Sequence, residues 1–246
     1  MSFIDEATGI VNFKIVYYGP GLAGKTANMR YVYDRTAPER RGKMISLATD
    51  TDRTLFFDIS PPGIVRVDGH APRIHLYTVP GPVFYDRSRV MILKGADAVV
   101  FVADSQQPRA EANVVSIETL ESNLALHGID LDALPFVLQY NKRDWPHAMT
   151  VETLDAHLNP SGWQRFEAIA PKGIGVFDSL KAAWRQVVAQ RRVEHAEGDA
   201  SVPWEGPAPR AEPEARPGRS PMSARPAGAA GPASWLGKIA GRLRRR

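Results

Sequence analysis

The sequence predicts an α/β fold, a mostly parallel sheet flanked by helices, and three observations point there. Apolar runs of strand length alternate with helical patterns from residue 12 to about residue 193. One run, Ala98-Val99-Val100-Phe101-Val102-Ala103, is apolar at every position, as a strand buried on both faces must be. A glycine-rich turn also joins the first strand pattern to the first helix pattern.

Taken in order, residues 13–18 (Phe-Lys-Ile-Val-Tyr-Tyr) read as the first strand and residues 24–35 as the first helix. Residues 54–59 and 73–79 read as two further strands. The Pro61-Pro62-Gly63 and Asp68-Gly69 turn signals between them predict a hairpin-like connection. After the apolar strand at 98–103, Val114, Ile117, Leu120 and Leu124 recur at three- and four-residue steps and form a helix face. Residues 136–140 are the next strand, 166–169 a short apolar run, and Phe177, Leu180, Trp184 and Val187 share one face of a last helix.

Composition bounds the function. The chain has 246 residues, 43% of them hydrophobic and 24% charged, enough for one domain of about 190 residues with an extension. With no cysteine, disulfides and thiolate chemistry are excluded, and the six histidines show no metal-ligand spacing. No apolar run approaches the roughly 20 residues that span a bilayer, and the acidic N-terminus carries no secretory pattern. Of the net charge of +4, residues 234–246 contribute +5, which leaves −1 for residues 1–233. The body is near neutral, so no nucleic-acid surface is expected.

Three domains follow: a folded domain at 1–193, a Pro/Gly-rich disordered linker at 194–233, and a basic amphipathic segment at 234–246. Residues 195–233 hold 8 Pro and 5 Gly among 39 positions, too little apolar surface to offset the entropy of ordering.

Gly19-Pro20-Gly21-Leu22-Ala23-Gly24-Lys25-Thr26 matches the phosphate-binding pattern G-x-x-x-x-G-K-[ST] between a strand and a helix. Its backbone N–H groups and the helix N-terminus suit phosphate oxygens. Lys25 is expected on the β- and γ-phosphates and the Thr26 hydroxyl on Mg²⁺. Asn141-Lys142-Arg143-Asp144 follows the strand at 136–140 and selects the base. A carboxylate at Asp144 accepts from both N1–H and the exocyclic amine of guanine, a pair that adenine lacks. Ala170-Pro171-Lys172-Gly173 is expected to close over the base, with the Ala170 N–H near guanine O6; a plain Pro-Gly loop is the other reading.

These motifs resemble those of P-loop, Ras-like small GTPases. More narrowly, the chain resembles the MglA family of bacterial GTPases of cell polarity and gliding. The residues carrying this are Lys14 to Leu22, Gly42 to Thr49, Arg53 to Asp58, Thr78-Val79-Pro80-Gly81, Val83 to Asp86 and Phe101 to Gln106, within about residues 1–192. The resemblance implies that Thr54 ligates Mg²⁺, that Arg53 is an internal arginine finger, and that the Gly81 N–H senses the γ-phosphate. A solvated surface arginine is the other reading of Arg53. The resemblance further implies GTP/GDP and Mg²⁺ as ligands, a roadblock-type activating or regulatory partner, and effectors. Pro82 stands where the family has a water-orienting glutamine, and proline has neither a side-chain amide nor a backbone N–H. Slow hydrolysis by a switch is therefore expected, the alternative being a GTP-loaded, hydrolysis-deficient binding module.

Trp235, Leu236, Ile239 and Leu243 fall on one side of a short helix, with most of the cations of 234–246 opposite. That pattern fits an anionic membrane surface. A docking peptide and a solvated terminus stay open. The expected location is cytoplasmic, peripheral at the inner face of the plasma membrane or at a cell pole.

Overall fold

In the computed structural model, residues 3–48, 53–80, 86–189, 191–195 and 204 are described. They lie within Met1–Ala208; most of the expected linker at 194–233 and the expected amphipathic segment at 234–246 lie outside the described residues.

Strand β2 (Ile10–Tyr18) is the centre of the sheet. On one side it pairs in parallel with β7 (Ala98–Asp104), followed by β8 (Phe136–Asn141) and β9 (Gln164–Glu167), all parallel. On the other side it pairs in parallel with β6 (Ala71–Thr78). Then the direction reverses. β4 (Arg53–Ile59) runs antiparallel to β6, and β3 (Ile45–Ala48) antiparallel to β4. The sheet is thus mostly parallel, as expected, with an antiparallel edge. A short β1 (Phe3–Asp5) pairs antiparallel with the start of β2.

Burial follows the helices. Every residue of β7 and β8 is buried, because layers cover both faces of that half. Helices α1 (Lys25–Arg35) and α5 (Val176–Val188) cover one face, where Met29, Val32, Phe177, Leu180 and Trp184 meet Phe13, Ile15 and Tyr17. Trp184 meets Phe13 edge to face at 5.0 Å, a pairing that contributes about 0.5–1.5 kcal/mol beyond its buried area. Helices α2 (Asp86–Leu93), α3 (Ala110–Ala125) and α4 (Val151–Leu158) cover the other face, where Leu93, Ile117, Leu120, Leu124, Leu154 and Leu158 meet Val16 and Tyr18. In β6 the pattern alternates strictly, so that Ile74 and Leu76 enter the core while Arg73, His75 and Tyr77 stay half-buried.

The connection between β4 and β6 is more than a hairpin turn. It contains β5 (Ile64–Val67), which pairs not with the main sheet but with β10 (Val193–His195) beyond α5. Asp68 adds to the join, since its N–H donates to the Arg192 carbonyl at 2.8 Å and its carboxylate pairs with Arg191 at 2.8 Å. Backbone pairing therefore carries the chain past the compositional break expected at 193/194. Further along, Trp204 packs against the core on the α1–α5 side.

Candidate functional site

Gly19 to Gly24 form the loop between β2 and α1. Gly24 caps the helix with φ +105, and a Cβ there would lie 2.2 Å from Asn141 Nδ2. A Cβ on Gly19 would lie 2.2 Å from the Val102 carbonyl oxygen. Both glycines are thus required by close approach as well as by backbone angle. Leu22 also adopts a left-handed φ of +65 and stands 88% exposed at the loop crest. Lys25 is buried, and its Nζ donates to the carbonyls of Gly19 (2.9 Å) and Pro20 (2.8 Å), which curls the ammonium into the loop. Thr26 follows on the first helical turn, half-buried.

Asn141 ends β8 and holds this loop from the far side. Its Nδ2 donates to the Ala23 carbonyl at 2.8 Å, and its Oδ1 accepts the Ala170 N–H at 2.9 Å. One buried amide therefore joins three segments remote in sequence. The Ala170 N–H, expected at guanine O6, donates to the Asn141 amide oxygen in this structure. Lys142 has φ +66, and its Nζ pairs with the Asp104 carboxylate at 2.7 Å. Asp144 lies nearer the surface, 3.5 Å from Lys172 Nζ. Beside Asn141, Tyr140 remains a neutral donor. Burial, then its 2.8 Å bond to Asp155, holds its phenol above the usual range.

Behind the loop lies a polar network that sequence reasoning missed. Gln139 Nε2 donates to Asn28 Oδ1 (2.9 Å) and Ser179 Oγ (2.7 Å), and Asn28 Nδ2 donates to the Gly24 carbonyl (3.0 Å). The available signal was one glutamine inside an otherwise apolar strand, 136–140.

On the antiparallel side, Arg53 and Thr54 open β4, opposite Ala48 and Leu47 of β3. Their side chains lie outside the described residues, as do Gly81 and Pro82. Thr78 ends β6 fully buried, and its hydroxyl accepts the Leu55 N–H at 2.8 Å, one residue beyond Thr54. Buried Arg89 of α2 donates from Nε to the Pro80 carbonyl at 3.0 Å, just before Gly81.

No family model matches the chain. Over 190 residues it is 56% identical to the Mutual gliding-motility protein MglA of Myxococcus xanthus (strain DK1622), which covers 77% of this chain and 97% of that relative. The chain belongs to the MglA family.

A member of the MglA family is a Ras-like small GTPase, and the mixed sheet with helices on both faces carries that fold here. The family implies a guanine nucleotide, GTP or GDP, and usually Mg²⁺. The glycine cradle and the inward-turned Lys25 fit a polyphosphate. Among the described residues no group of three or more His, Asp or Glu is arranged for a metal. No helix among the described residues is long and apolar enough to cross a membrane.

Proposed function

We propose that this MglA-family GTPase is a slowly hydrolysing molecular switch in the control of cell polarity or motility. The observation that carries the reading is Asn141, whose side chain ties the phosphate loop at Ala23 to the base loop at Ala170. A base-selecting motif at the carboxyl end of β8 is thereby coupled to a phosphate-binding loop at the carboxyl end of β2, the edge at which open α/β sheets bind ligands.

In this reading Gly19, Gly21, Leu22, Ala23 and Gly24 wrap the phosphates with backbone N–H groups. Lys25 leaves the loop carbonyls for the β- and γ-phosphates. Asp144 exchanges Lys172 for guanine N1–H and the exocyclic amine, and the Lys142 stem lies against the nucleoside. Thr26 and Thr54 hold Mg²⁺, which neutralises phosphate charge when bound. The Gly81 N–H meets the γ-phosphate. Water attacks the γ-phosphorus, the bond from that phosphorus to the β–γ bridging oxygen breaks, and GDP and phosphate leave. Arg53 supplies positive charge to the transition state from within the chain.

Pro82 supplies no group to orient that water. Loss of one preorganised polar group costs about 2.7–4 kcal/mol of transition-state stabilisation. The experiment is single-turnover hydrolysis of preloaded GTP with Mg²⁺, with a roadblock-type partner present and absent. Wild type is expected to hydrolyse slowly and to respond to the partner, and Pro82→Gln to be faster. An unchanged rate in Pro82→Gln contradicts the role given to Pro82.

Pro82 also favours a second reading, a GTP-loaded binding module without turnover, held at the cytoplasmic face of the membrane by residues 234–246. Retained GTP with no hydrolysis, with or without the partner, selects this reading. Flotation with anionic vesicles tests the anchor: full-length protein should float and a chain ending at residue 233 should not. Equal flotation of both forms rules the anchor out.

A further inference from the structure

Asp104 is the charged residue that ends the otherwise apolar strand β7, and it is fully buried. In the sheet, β7 lies between β2, which leads into the phosphate loop, and β8, which leads into the base loop. A buried carboxylate is costly unless paired and hydrogen-bonded, so its partners identify its role.

Oδ2 takes the ammonium of Lys142 at 2.7 Å and faces Arg109 Nε at 3.8 Å. Oδ1 accepts the Gln106 N–H at 3.1 Å. The Asp104 backbone is held at both ends by Asn113, whose Oδ1 accepts its N–H (2.9 Å) and whose Nδ2 donates to its carbonyl (2.8 Å). Arg109 then carries the connection onward, because its Nη2 donates to the Gly21 carbonyl in the phosphate loop at 2.7 Å. Backbone contacts reinforce the base side. The Ser105 N–H donates to the Asn141 carbonyl (3.0 Å), and the Met149 N–H to the Ser105 carbonyl (2.8 Å). The segment 104–109 therefore touches the base loop through Lys142 and Asn141, and the phosphate loop through Gly21. Both loops hold residues with left-handed φ that are not glycine, Leu22 and Lys142, and such angles persist only where surroundings impose them.

We infer that Asp104 and Arg109 are positioning residues: together they form a charged strut that locks the base loop to the phosphate loop and slows nucleotide release. The inference rests on the guanine-nucleotide reading of the site. Neither side chain is assigned to the reacting atoms. The Asn141 amide makes a parallel, uncharged tie, so the strut adds to a site whose base selection is set elsewhere, by Asp144. When nucleotide leaves, the two loops must separate, and the strut raises the cost of that opening.

The test is the release rate of a fluorescent GDP analogue from the full chain, with excess GDP as chase. Asp104→Asn keeps the acceptor for Gln106 and removes the charge. Arg109→Gln alters a part-exposed side chain and leaves the core intact. Each is expected to speed release roughly ten- to hundredfold, the range for one charge-assisted contact. The double variant is expected to be no faster than the faster single variant, because both cut one strut. The preference for GDP over IDP, which lacks the 2-amino group, should stay at the wild-type value in all three. Multiplying effects in the double variant, singles within about twofold of wild type, or a changed GDP-to-IDP ratio would overturn the strut. Wild type that fails to bind the GDP analogue at all would overturn the nucleotide reading itself, a different outcome from unaltered release.

Discussion

On the parallel side of the sheet, the loops after β2, β8 and β9 are bound to one another by side chains. Asn141 bonds to Ala23 and Ala170, and Lys142 and Arg109 converge on buried Asp104. On the antiparallel side, β4 and β6 share a ladder that runs from Phe56↔Tyr77 to Ile59↔Ile74, and beyond it the Thr78 hydroxyl reaches Leu55. One side is knit by amides and ion pairs between remote segments. Among the described residues, the other is joined between neighbouring strands, by the β4–β6 ladder, the Arg73–Asp58 pair at 2.6 Å and the Thr78 hydroxyl. The difference teaches where the two tasks of a switch reside. Base and phosphate recognition must be the same with GTP and GDP, and a rigid, cross-tied set of loops suits that. Sensing the γ-phosphate must differ between the two states, and in the proposed reading it falls to Thr54, at the start of the strand β4 on the antiparallel side.

Cutting one tie on each side sharpens this contrast. Asn141→Ala carries the larger effect. It strands two buried backbone groups, at about 1–3 kcal/mol each. Affinity for GTP and for GDP should fall by the same factor, as read by parallel titration of the two nucleotides. A loss confined to GTP would break the division. Thr78→Val is smaller and differently shaped. It leaves the Leu55 N–H without its acceptor, about 1–3 kcal/mol of stability by urea unfolding, and it should weaken GTP more than GDP. Equal weakening of both would place Thr78 with the rigid side.

Much of this arrangement was legible in the sequence because its signals are local. The phosphate loop lies between a strand and a helix within eight residues, and the motif Asn141 to Asp144 directly follows an apolar strand. The helix faces at Ile117, Leu120 and Leu124 and at Phe177, Leu180 and Trp184 pack as their spacing predicts. What was not legible is pairing at long range. β5 and β10 meet over three register pairs separated by more than a hundred residues, and nothing in Val193 to His195 announces a strand. The same holds for polar partners. The bond from the Ala170 N–H to Asn141 is invisible in the sequence, and Gln139, Asn28 and Ser179 meet only when three elements are brought together. Asp104 carried a readable cue, a carboxylate closing an apolar strand, but its partners at 109 and 142 did not.

The central claim is that this face of the protein recognises guanine through Asp144 on a loop held by Asn141. The most direct measurement is displacement of bound fluorescent GDP by GDP, ADP and XDP, for wild type and Asp144→Asn. GDP should displace the bound analogue from wild type and ADP should not, even in large excess. Asp144→Asn should gain XDP binding as it loses GDP, because the carboxamide donates to the 2-oxo group that replaces the amine. Displacement of GDP from wild type by ADP at similar concentrations would rule out guanine recognition by Asp144.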